Sequence, residues 1–121
     1  MTVPIYNMRI LQGANFLLTV TFQARDLTGY TVRMQGRTSF DDNQTVFDWT
    51  TANGYIAVAY SAPDSTVTIS ATAAQTAVLG HAPHGLAHGL EGVYDCEIVS
   101  PGSIVERAFQ GTFAVDPEVT R

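Results

Sequence analysis

In the stretch NFLLTVTFQ (residues 15–23), apolar and polar side chains alternate. Phe16, Leu18, Val20 and Phe22 share one face; Asn15, Thr19, Thr21 and Gln23 share the other, with Leu17 as the exception. A period of two puts one face of a strand in the dry interior and leaves the other wet, whereas a helix needs a period near 3.6. The same beat returns in residues 30–37, where Tyr30, Val32 and Met34 point one way and Thr31, Arg33, Gln35 and Arg37 the other. In residues 93–100 it sets Tyr94, Cys96 and Ile98 against Asp95 and Glu97. Shorter runs at 45–50, 55–60 and 65–70 and a longer one at 103–115 continue it.

Turn chemistry separates these runs. Asp26 and Gly29 flank Leu27, which can plug the edge of a core, and DDNQ (residues 41–44) reads as a second turn. Asn53-Gly54 tolerates positive φ at both positions and is a hairpin signal. Pro63-Asp64 and Pro101-Gly102 mark two further reversals, and Gly111 inside the last run marks a bulge or a close approach. Residues 70–80 read as one short helix, with Ser70 as cap, a run of alanines and Gly80 as stop. Ala73, Thr76, Ala77 and Leu79 would then face a sheet. About seven or eight short strands with turns at short intervals predict an all-β chain, a small antiparallel β-sandwich with one short helix. A small twisted β-barrel is the alternative. The 121 residues suit one domain. Within it, residues 1–12 form an N-terminal arm or an edge strand, 80–92 an exposed loop and 116–121 a tail.

Charge narrows the function. Charged residues make up only 14% of the chain, against about a quarter in an ordinary domain, so much of the surface is neutral Thr, Ser, Asn and Gln. Such surface is cheap to desolvate where subunits meet. All six cations are arginines and the net charge is −5, which does not supply the cationic face a duplex-binding protein needs. The single cysteine, Cys96, rules out a disulfide within the chain and reads as a small buried hydrophobe. No basic-then-apolar leader and no apolar run near twenty residues is seen, so neither secretion nor a membrane partner is expected.

Candidate chemistry is sparse. His81, His84 and His88 fall within eight residues, and with Glu91 as fourth ligand they are the candidate metal set. Pro83, Gly85 and Gly89 deny them a helix, so the preferred reading is a loop with no metal. Asp41 and Asp42 lie in a turn, and Asp95 and Glu97 lie on the wet face of a strand. Trp49 with Tyr55 and Tyr60 is the candidate sugar platform, against the plainer reading of core aromatics. No nucleophile sits beside an evident base, so no catalytic residue, enzymatic activity or cofactor is expected.

Two stretches carry a resemblance. DLTGYTVRMQGR (residues 26–37) resembles a segment of small tailed-bacteriophage structural proteins. GVYDCEIVSPGSIVERAFQGTFAVDPEVTR (residues 92–121) is similar to their closing hairpin, and the intervening ANGYIAVAY and SATAAQTAVL also fit. The chain also resembles the Ig-like N-terminal domain of phage baseplate upper proteins. The resemblance implies a virion component without enzymatic activity, an adaptor linking a tail or baseplate core to fibres or receptor-binding parts. It implies several copies around a symmetric ring, assembled in the host cytoplasm. A capsid decoration or cement protein is the near alternative, and a metal- or carbohydrate-binding module the alternative of another class. The histidine loop would be an insertion on the shared scaffold. Candidate interface residues are Ile5, Tyr6 and Met8 of the N-terminal segment, Arg33 and Arg37 of the outward strand face, and Val119 and Arg121 of the tail.

Overall fold

A computed structural model describes residues 3–41, 44–79 and 90–117. Eight strands and one helix follow in the order β1 Met8–Leu11, β2 Phe16–Phe22, β3 Thr31–Arg37, β4 Phe47–Thr50, β5 Ile56–Ser61, β6 Asp64–Ala71, α1 Ala73–Ala77, β7 Leu90–Val99 and β8 Val105–Asp116. They form two sheets, β1-β8-β7-β3-β4 and β2-β6-β5, packed face to face as a β-sandwich.

Alternation decides which side chains meet between the layers. Val32 and Met34 of β3, Cys96 and Ile98 of β7, Phe113 and Val115 of β8 and Val67 and Ile69 of β6 are all buried. Their out-of-phase neighbours Arg33, Thr112 and Ser70 are exposed. Each fully buried aliphatic or aromatic side chain contributes about 1.5–3 kcal/mol. Two glycines make room for the aromatic centre. A Cβ on Gly36 would lie 2.2 Å from the ring of Phe47, and one on Gly92 would lie 2.7 Å from the ring of Phe113. Lacking them, the two rings meet edge to face at 5.1 Å, and Phe47 passes on to Trp49 at 4.4 Å. Trp49 stacks on Tyr55 at 5.5 Å.

Several local expectations are corrected. The pairing is not antiparallel throughout: β1 lies parallel to β8, with Met8 opposite Phe113 and Ile10 opposite Val115. Asn53-Gly54 does not close a hairpin. β4 pairs with β3, whereas β5 pairs with β6 in the other sheet, so this turn carries the chain between layers. Gly54 has φ +88° there, and the Asn53 side chain holds the turn by accepting from Thr50 N and donating to the Asp48 carbonyl. The turn signal is local, and the turn forms; which sheet the next strand joins is a matter of long-range pairing.

The helix is shorter than expected. Ser70 and Ala71 remain in β6, opposite Leu17 and Phe16, because the pairing with β2 uses every residue of that strand. Thr72, not Ser70, is the cap. Its hydroxyl accepts from Gln75 N while the Gln75 side chain accepts from Thr72 N. Thr76 and Leu79 are buried, as the sheet-facing side requires. The Thr76 hydroxyl donates to the Ala14 carbonyl at 2.8 Å and accepts from Gly13 N at 3.0 Å, which ties α1 to the β1–β2 turn. Residues 90–92 belong to β7 rather than to the loop assigned to 80–92, and β8 continues to Asp116, the first residue assigned to the tail.

Candidate functional site

The N-terminal segment meets β8 along its length. Tyr6 N donates to the Gln110 carbonyl, Gln110 N to the Pro4 carbonyl, and Thr112 N to the Asn7 side chain. Gly111 is the reason this approach is possible. A Cβ there would lie 2.2 Å from the Tyr6 carbonyl oxygen, so a close approach, not a bulge, explains this glycine. The buried Tyr94 hydroxyl donates to that same carbonyl. Burial raises the Tyr94 hydroxyl above the ordinary tyrosine range, so it stays a donor. The bulge lies elsewhere, where the β7–β8 register shifts between Cys96 and Glu97.

Docking this segment completes a groove of about 650 Å³ on the outer face of the five-stranded sheet. Gln35, Arg37, Asp95, Arg107 and Gln110 line it, and Ile5 and Phe40 contribute apolar side chains that are 70% and 88% exposed. Charges on the face are interleaved. Arg33 Nε sits 2.8 Å from Glu97, Arg107 Nε sits 3.5 Å from Asp95, and Arg37 donates to the Gln35 side chain at 3.2 Å. Asp95 has a raised pKa, first from burial and then from the charge of Glu97, against the lowering influence of Arg107, Arg33 and Arg37. Exposed pairs of this kind stabilise by only ~0–1 kcal/mol, so they add little to the fold. The balance of two signs suits a protein surface better than a phosphate, which calls for convergent cations.

Of the interface candidates, Ile5 and Arg37 line this groove, and Arg33 lies beside it, bound to Glu97. Tyr6 is half exposed. Met8 is corrected: at 6% exposure it is a core residue, because the parallel pairing with β8 turns it inward beside Phe113. Val119, Arg121, His81, His84 and His88 lie outside the described residues, as does Asp42. Glu91 is exposed on β7. The candidate sugar platform is not formed. Trp49 is 3% exposed, with its ring against Phe16, Phe47 and Tyr55, while Tyr60 is turned to solvent. Cys96 is 1% exposed, and burial pushes its thiol up to about 12, with Asp95 and Glu97 adding to the effect. Phe40, Asn7 and Gln110 were missed, since only long-range pairing, of β3 with β7, β7 with β8 and the N-terminal segment with β8, brings them together.

No family model matches the chain, and no curated protein matches it. Among solved structures it is similar to the NK cell receptor NKp44, described as a triggering partner in natural cytotoxicity. The two share 16% identity over 96% of this chain and all of the other, at a TM-score of 0.44. It is also similar to the extracellular domain of the voltage-gated sodium channel β4 subunit, described in parallel homodimers with a role in cell–cell adhesion. There the identity is 12% over 98% of this chain and 97% of that one, at a TM-score of 0.45. Strand order decides the type. The sandwich is immunoglobulin-like. Its β8-β7-β3-β4 neighbours follow the G-F-C-C′ order of a variable-type sheet, and β2-β6-β5 follows B-E-D of the other. This Ig-like sandwich has no disulfide between its layers, and Cys96 packs in the core as a thiol.

Proposed function

We propose that this chain is a structural part of a tailed-bacteriophage particle, an adaptor between the tail or baseplate core and fibres or receptor-binding parts, without enzymatic activity. One observation carries the reading. The two stretches that resemble phage structural proteins, residues 26–37 and 92–121, lie far apart in the chain but supply three neighbouring strands, β3, β7 and β8. Their outward side chains, Arg33, Arg37, Asp95, Glu97 and Arg107, form most of the charged face described above. These two stretches therefore share one continuous surface, while the intervening stretches that also fit lie in β5, at the end of β6 and in α1. Interleaved charges beside the exposed side chains of Ile5 and Phe40 offer a neighbouring protein polar and apolar contacts on one face.

Purified particles separated into heads and tails, each analysed by mass spectrometry, test the reading. The chain is expected in the tail fraction at several copies. Recovery in heads alone would assign it to capsid decoration instead, and absence from both fractions would overturn a virion role.

A further inference from the structure

In an immunoglobulin-type sandwich the first strand can flank the second in the smaller sheet. Here the first strand pairs with β8 instead, so β2 is left as an edge. Natural edge strands are protected by charge, proline or a bulge. Residues 15–23 contain no charge and no proline, and β2 pairs with β6 in unbroken register. β5 is the other edge of that sheet, and β2 pairs with β6 and with no other described strand. Phe16, Leu18, Val20 and Phe22 point inward, yet none is fully buried, in contrast to the inward residues of β3, β6 and β7.

Hydrogen-bond parity shows which groups are free. Ser70 N donates to the Tyr55 carbonyl, so Ser70, Thr68 and Thr66 of β6 bond toward β5, and the alternate residues bond toward β2. On β2 the bonded residues are then Phe16, Leu18, Val20 and Phe22. Leu17, Thr19 and Thr21 present N–H and C=O to the open side, and no other described segment hydrogen-bonds to them there.

We infer that a second copy of this chain occupies this edge, its β2 antiparallel to the first about a two-fold axis through Thr19. The sequence is self-complementary in that register. Thr19 faces its own copy, Leu17 faces Thr21, Leu18 faces Val20 and Phe16 faces Phe22. The residues with free backbone groups fall at the hydrogen-bonded positions. The half-buried inward side chains cover one another, and although each chain carries net charge −5, none of it lies on the joint. The smaller sheets of two copies merge into one, and the charged faces remain open for other proteins. This pairing deepens the assembly reading above but does not depend on the particle being a phage.

Sedimentation equilibrium on the full chain tests it. The wild type is expected to be a dimer. The double variant Leu17→Glu/Thr21→Glu sets carboxylates opposite one another at both ends of the joint and is expected to be monomeric at concentrations where the wild type is dimeric. Leu17→Lys/Thr21→Lys should behave likewise, and an equimolar mixture of the two variants should recover the dimer through opposite charges. Unaltered circular dichroism and cooperative melting of each variant confirm that the fold is retained. A monomeric wild type, a glutamate variant that stays dimeric or a mixture that fails to pair would overturn the inference. A two-fold dimer from a chain absent from particles would uphold this joint and remove the virion role, and a monomer found in tails would do the reverse.

Discussion

Gly111 is the residue on which the N-terminal segment depends. The Tyr6 carbonyl occupies the place a side chain would take, and the Tyr94 hydroxyl donates to that carbonyl. Gly111→Ala must push the segment off β8 or strain the strand, at a cost of about 1–3 kcal/mol. Hydrogen exchange should show residues 6–11 losing protection while β6 and β7 keep theirs; uniform loss or no change would contradict this. Asp95 makes a pH-dependent prediction. Its folded pKa is raised, so the folded state binds its proton more readily than the unfolded chain does. The stabilising contribution of this group is present below the ordinary carboxylate pKa, about 4, and is lost as pH rises through the folded value. Asp95→Asn should therefore raise the melting midpoint at neutral pH, and the gain should fade in acid. A midpoint lowered at neutral pH would mean that Arg107 outweighs burial.

Among the elements, α1 has the least support of its own. Five residues cannot hold a helix in water, so its stability comes from the capping box and from Thr76. Thr76→Ala leaves Gly13 N–H and the Ala14 carbonyl without that partner in a partly buried place, at about 1 kcal/mol, which denaturant unfolding would register. A cost below a few tenths would show that water replaces the hydroxyl. The strands were legible because alternation is a local property: β2, β3, β6 and β7 fall where the period of two put them. Their partners were not. Nothing local in residues 5–10 distinguishes an arm from an edge strand, since Ile5 and Met8 are both apolar and only pairing with β8 exposes one and buries the other. Asn53-Gly54 announced a turn but could not say that the next strand joins the other layer. Arg33 and Arg37 could be picked out because they sit on the polar phase of β3, whereas Phe40 and Gln110 join them only through tertiary pairing.

At the scale of the molecule, function rests on how surface is divided. The five-stranded sheet carries interleaved charge, and the outer face of the smaller sheet carries Leu17, Thr19, Thr21, Thr66, Thr68 and Ala57, with Asp64 at the end of β6 as its charge. A part of this kind can bind one neighbour through each surface without mixing them. Ile5→Asp combined with Phe40→Asp places charge at two exposed sites of the groove, so it should leave the unfolding free energy within about 1 kcal/mol of wild type while depleting the chain from assembled tails. Retained incorporation would place the contact elsewhere. The most direct measurement is electron cryo-microscopy of the intact particle at a resolution that separates strands. The account predicts Ig-like sandwiches repeated about the tail axis, with the β3-β7-β8 face against a different protein. Particles without this density, or sandwiches whose charged face meets only solvent, would contradict it.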